Sequence, residues 1–159
     1  MKKMNGDDTV KILILNGPNL NMTGRRSPEI YGTKSLDEIM GELEHKAHGM
    51  GIELSRLQSN HEGDLIDAIQ SAGNGFDGII LNAGALTHYS YALRDAIECC
   101  PIPVGEVHMS DILKREPFRA VDVIEDVCAF RLMGMGASVY ETGLIMLVDI
   151  LEGKSHAEV

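Results

Sequence analysis

The sequence predicts an α/β domain, a parallel sheet with helices on both faces. Three observations predict it. Short apolar runs, the first Ile12-Leu13-Ile14-Leu15, alternate with stretches whose apolar residues recur at helical spacing, the alternation expected of βαβ units. Four successive runs each give way to a cluster of hydrogen-bonding side chains. Parallel strands bring such ends to one edge, where open α/β sheets form their sites. Finally, 159 residues with 44% hydrophobic and 24% charged side chains suit one globular domain.

Residues 1–9 are polar and read as a flexible tail, leaving a single domain over 10–152 and a second tail over 153–159. The first strand leads into Asn16–Tyr31, which holds three asparagines, two glycines, two prolines and an arginine pair, and has almost nothing to bury. Structureless loops of this length are usually lids or binding segments. Asn16–Asn19 is expected to be its fixed floor and Thr23–Tyr31 its mobile part. Ser35 then opens a helix through a capping box with Glu38. Leu36, Ile39, Met40, Leu43, Ala47 and Met50 share one face of it, and Gly49 and Gly51 end it. A second strand, about 52–57, ends in Gln58-Ser59-Asn60-His61-Glu62. The next helix carries Leu65, Ile69 and Ala72. A third strand, 78–81, runs into Asn82 and, six residues on, His88; a helix over about 90–99 comes next. The fourth strand ends at Val107, giving way to His108-Met109-Ser110-Asp111. A fifth is expected near 128–133, with Arg131 placed awkwardly in it. The last helix, 138–151, is apolar all round, so it must be covered on most sides and suggests an oligomer interface.

A net charge of −10 opposes binding to nucleic acid, whose phosphates it would repel. Three cysteines in no metal-ligand or redox spacing read as reduced packing residues. With no apolar run of ~20 residues to enter a membrane, the expected compartment is the cytoplasm. His45 and His48 lie one helical turn apart, but as a solvated face rather than a metal site. There is neither a phosphate loop nor a Gly-x-Ser-x-Gly elbow. The remaining inventory is neutral hydrogen bonders, histidines, arginines and a lid tyrosine, a set suited to moving protons on a polyhydroxylated carboxylate.

Four segments carry a resemblance: LNGPNLNMTGRR with PEIYG one residue on, QSNHEGDLIDAI, LNAGALTHYSYALRDAI and VGEVHMSDILKREPFR. In their order and spacing they resemble the type II 3-dehydroquinate dehydratases. The resemblance implies a flavodoxin-like fold with a five-stranded parallel sheet. It also implies anti elimination of water from 3-dehydroquinate through an enolate, giving 3-dehydroshikimate in the shikimate or quinate pathway, with no metal or organic cofactor. It makes Tyr31 the base, activated by Arg26, and has Asn19 hold a water at the enolate oxygen. His108, oriented by Glu106, becomes the acid for the departing hydroxyl. Asn82, His88, Met109 (through its amide), Ser110 and Arg119 hold the substrate, and Asp95 approaches from a neighbouring subunit. The family assembles as trimers grouped into a dodecamer.

Magnitudes add one expectation. A phenol ionises near ~10, about 3 units too high for a base at neutrality. An arginine at ~4 Å with an effective dielectric of ~20 is worth about 4 kcal/mol, roughly 3 units, and desolvation opposes it. One arginine barely suffices, so a second cation such as Arg115 is expected. Glu106 is expected to raise the pKa of His108. The chain departs from the family pattern at Ser27, Asp111 and Leu113, and at Asp122, Phe130 and Arg131. Asp111 would put a negative charge near the pocket for the substrate carboxylate. These departures keep open a related lyase acting on another hydroxylated carboxylate, or a silent binding module.

Overall fold

The structure, a computed structural model, describes residues 9–154. The expected tails lie outside the described residues, apart from Thr9, Gly153 and Lys154. Five parallel strands, β1 (Val10–Asn16), β2 (Ile52–Gln58), β3 (Gly78–Asn82), β4 (Val104–His108) and β5 (Phe130–Met133), form one sheet in the order β2-β1-β3-β4-β5. The chain leaves β1 in one direction to reach β2 and then returns past it to β3. The ends of β1 and β3 therefore flank the point where strand order reverses, where a crevice opens at the carboxyl edge.

Period-two alternation divides the core into two layers. Ile12, Ile14, Ile80 and Val107 face α2 (Leu36–Gly49) and α5 (Ser138–Leu151). Leu13, Leu15, Ile79 and Leu81 face α3 (Glu62–Ala72) and α4 (Tyr91–Glu98). The capping box at α2 is present in both directions: the Glu38 amide donates to Ser35 Oγ at 3.1 Å, and the Ser35 amide donates to Glu38 Oε2 at 2.9 Å. In the sheet, Gly105 faces Phe130 across the β4–β5 register. A Cβ on Gly105 would sit 2.2 Å from the Phe130 ring, so the glycine lets that ring lie across β4.

Three boundaries differ from the expectation. The fifth strand begins at Phe130 rather than near 128, because Glu125–Val127 forms a short 3-10 turn anchored by Ile124, which is fully buried. The Asn16–Tyr31 segment carries its own local structure, a 3-10 turn at Leu20–Met22 and a one-turn helix, α1, at Pro28–Tyr31. Thr23 is buried and its hydroxyl donates to the Leu20 carbonyl at 2.7 Å, so it belongs with the fixed floor. Helix α5 buries Val139, Tyr140, Leu144 and Leu147 completely and leaves Ile145 43% exposed. Among the described residues no helix is long and apolar enough to cross a membrane.

Candidate active site

The floor is built from the ends of β1 and β3. Gly17 donates its amide to the Asn82 carbonyl at 2.8 Å, and its missing Cβ would lie 2.5 Å from the Ala83 carbonyl oxygen, an approach only glycine permits. Asn19 comes next in a left-handed conformation, φ 68°. Asparagine is one of the few non-glycine residues that adopts this backbone readily. Its amide donates to Asn60 Oδ1 at 3.0 Å and its side chain is left exposed above the floor. Asn82 is buried: its amide nitrogen donates to the Tyr140 hydroxyl at 3.0 Å, and its oxygen accepts from the Gly84 amide at 3.2 Å. Tyr140, fully buried on α5, donates in turn to Asn16 Oδ1 at 2.6 Å. Burial holds that phenol above the usual tyrosine range, so it acts as a neutral hydrogen bonder that fixes Asn82. Sequence reasoning missed Tyr140, because a tyrosine inside an apolar helix reads as core.

The wall is β4 together with the turn beyond it. Glu106 is fully buried, and its Oε1 lies 2.6 Å from His108 Nε2 and accepts from Thr87 Oγ1 at 3.3 Å. Met109 and Ser110 are buried just beyond. His88 places Nδ1 2.7 Å from the Val121 carbonyl. The carbonyl can only accept, so Nδ1 carries the proton and Nε2 is left for a ligand. Arg119 is mostly buried, stacked 4.8 Å over Phe118 and bonded to Glu116 at 3.0 Å. Asp111 caps the next turn, accepting from the Leu113 amide at 3.1 Å, and pairs with Lys114 at 3.5 Å; its charge is thus partly engaged. Asp95 is exposed on α4, and no hydrogen bond joins its side chain to this cluster. The structure gathers the other predicted residues at the sheet edge but leaves Asp95 outside.

The lid meets this wall through one side chain. Arg115 donates from Nη1 to the Tyr31 hydroxyl at 2.6 Å and to Ser110 Oγ at 3.3 Å. Arg26 is exposed, with its guanidinium 5.6 Å from the centre of the Tyr31 ring. Both cations expected beside the tyrosine are therefore there, and Arg115 makes the direct contact. Ser27 adopts φ 42° with no capping bond from its side chain, a strained backbone for a residue with a Cβ.

The electrostatics correct one expectation. Burial pushes Glu106 up to about 9, with Asp122 beside it adding and Thr87 and Arg131 opposing. Burial likewise pushes His108 down to about 4, with Asp122 opposing and His88 and Arg131 adding. Glu106 therefore does not raise the histidine: sealed from water and next to a second carboxyl, it takes up a proton itself and offers little charge. Both shifts make stability depend on pH. The raised Glu106 stabilises the fold at low pH, and that contribution is lost as pH rises from roughly 4.3 towards 9. The lowered His108 stabilises at higher pH, and that is lost as pH falls from roughly 6.5 towards 4. The two slopes offset between roughly pH 4.3 and 6.5, and only the Glu106 slope remains above it. The denaturant midpoint is expected to fall from pH 7 to 9, and to fall less in Glu106→Gln.

Glu106, His108 and Asp122 bring one ligand-capable atom each to within 4.8 Å of one another, the group with metal-compatible spacing among the described residues. Arg131 already supplies a cation there, donating to Asp122 at 3.2 Å. His45 and His48 are exposed on α2.

Comparison of the chain with known proteins agrees with this geometry. The profile of the family described as Dehydroquinase class II matches residues 10–148. The 3-dehydroquinate dehydratase of Anoxybacillus flavithermus is 49% identical over 145 residues, 91% of this chain and 98% of that protein. That of Roseiflexus castenholzii is 52% identical over 127 residues, 80% and 81% of the two chains. The crystal structure of the type II dehydroquinase from Butyrivibrio crossotus superposes with a TM-score of 0.82 at 44% identity, covering 89% of this chain and 97% of that one. A parallel sheet in this strand order, a polar lid and a match over nearly all the described residues leave one conclusion: the chain belongs to the class II dehydroquinase family.

Proposed function

We propose that this chain is a hydro-lyase that removes water from 3-dehydroquinate in the anti sense, through an enolate, to give 3-dehydroshikimate. The observation that carries the mechanism is the Arg115 bridge. It ties the lid tyrosine to the end of β4, the strand bearing Glu106 and His108. Base and acid are thereby held on opposite elements around one crevice. Tyr31 removes the proton next to the ketone. The hydrogen bond donated by Arg115 strengthens as the phenol becomes a phenolate, and Arg26 adds charge over the ring. Asn19, exposed above a rigid floor, orients a water at the enolate oxygen. His108 delivers a proton to the departing hydroxyl and Glu106 sets its orientation. Asn82, His88, the Met109 amide, Ser110 and Arg119 take the hydroxyls and carboxylate. Arg119 exchanges Glu116 for the substrate carboxylate, a planar pairing that suits guanidinium.

The same reading takes the protein as a homo-oligomer, trimers grouped into a dodecamer, in which Asp95 serves a neighbouring site. Exposed Tyr91 on the same helix and Ile145 on α5 support surfaces that another copy covers. Three free cysteines support the cytoplasm as its compartment. The engaged Asp111 charge weakens the case for a different hydroxylated carboxylate. Adding 3-dehydroquinate to the purified protein and monitoring the near-ultraviolet absorbance of the enone product tests the reading. Turnover is expected without added cofactor; thermal stabilisation by the compound with no product would instead identify a silent binder.

A further inference from the structure

The buried side of the Glu106–His108 pair holds a second carboxylate that the reaction as described does not use. The Asp122 side chain is 2% exposed, and its Oδ1 accepts from the amides of Ile124 and Glu125, each at 3.0 Å. Its Oδ2 accepts from Arg131, whose Nη1 also reaches Glu125 at 2.7 Å. Across from it, Glu106 Oε1 is fully occupied by Thr87 and His108. Glu106 Oε2 is buried and has no hydrogen-bond donor facing it. A bare carboxylate oxygen sealed from water is strongly disfavoured unless it is paired or protonated. With a proton on Oε2 and Asp122 as acceptor, every atom of the cluster is satisfied.

We propose that Asp122, clamped by Arg131, shares one proton with Glu106 Oε2 and so acts as a positioning residue that keeps Glu106 neutral behind His108. The proposal rests on the reading of His108 as the acid. The proton balance is simple: one proton serves the Asp122 and Glu106 carboxyls, and the one negative charge they keep faces Arg131, which also pairs with the half-exposed Glu125. Oε1 is then left as a pure acceptor, so His108 must present Nε2–H to it. Nδ1 is then the atom that bears the transferable proton whenever the ring is the imidazolium, which the lowered His108 pKa makes the minor, strongly acidic form at neutral pH. Without a full negative charge against the ring, the imidazolium is a stronger acid and gives its proton more readily to a departing hydroxyl. The titratable and charged groups around this cluster are Asp122, Arg131 with its partner Glu125, Asp126, His88 and the Cys128 thiol, which burial and the nearby carboxylates keep protonated.

The test is Asp122→Asn in otherwise intact enzyme. The amide can donate to Oε2, so the charge that Asp122 and Glu106 shared moves wholly onto Glu106, one hydrogen bond from Nε2. Infrared difference spectra at pH 7 are expected to show a buried protonated carboxyl in wild type that disappears in Asp122→Asn and in Glu106→Gln. The His108 ring, followed by NMR, is expected to titrate about one pH unit higher in Asp122→Asn. An acid band that is absent from wild type, or that persists in Asp122→Asn, overturns the proposal, as does an unmoved His108 titration. Should Asp122→Asn not fold, wild type and Glu106→Gln decide: a band missing from the first or kept by the second overturns it. Both readouts use resting enzyme. Full activity in His108→Gln would sink the acid assignment and leave the proton-sharing pair standing.

Discussion

Tyr31→Phe is expected to lower turnover of 3-dehydroquinate by about 10²- to 10⁴-fold, the usual worth of a positioned general base. The substitution removes one oxygen and keeps the ring that packs against the core. Arg26 would still lie over the ring, and Arg115 would still reach Ser110. The Michaelis constant is expected to change only a few-fold, because the lost interaction acts in the transition state rather than in binding. Thermal stability should shift little: the phenol belongs to a half-buried residue, and its oxygen is bonded to Arg115 on a largely exposed segment. Initial rates of enone formation at saturating substrate, with circular dichroism to confirm folding, make the measurement. A variant keeping more than a tenth of the activity would remove Tyr31 from the role of base.

How far the sequence reached depends on whether local signals decided an element. The capping box at Ser35 and the apolar face of α2 depend on neighbours in the chain, and the helix stands where they place it. The polar ends of β1 to β4 were readable as one edge because parallel topology leaves no other arrangement. The Val121–Ala129 stretch was not readable in this way. Its turn is set by Ile124 burying itself against the α3–α4 layer and by the Val123 amide bonding Thr87 at 2.9 Å, contacts with no signature in local spacing. Arg131 looked misplaced in a strand for the same reason: its partners, Asp122 and Glu125, are fixed only by the fold. The roles of Tyr31, Arg26 and His108 came from family resemblance, whereas the demand for a second cation came from the size of the phenol's ionisation energy.

That demand makes Arg115 the second residue whose loss should be severe. Arg115→Gln is expected to lower turnover by about 10²- to 10³-fold, as for removal of a preorganised donor at developing negative charge. Arg115 is 13% exposed, and its Nε is buried without a hydrogen-bond partner, holding only a 3.8 Å ion-pair contact with Glu116. The cation is thus desolvated, which strengthens its effect on an adjacent oxygen. Arg115→Lys separates charge from geometry. An ammonium keeps the charge but loses the planar fork that reaches Tyr31 and Ser110 together, so an intermediate loss is expected, roughly tenfold, the worth of about 1.4 kcal/mol. If lysine and glutamine proved equally damaging, the bridge to Ser110 would matter and the charge would not. If both were nearly silent, Arg26 alone would suffice to activate the tyrosine. The decisive comparison is the turnover number of the two variants at one pH, beside that of Arg26→Gln, with the unfolding midpoint of each measured to set aside loss of structure.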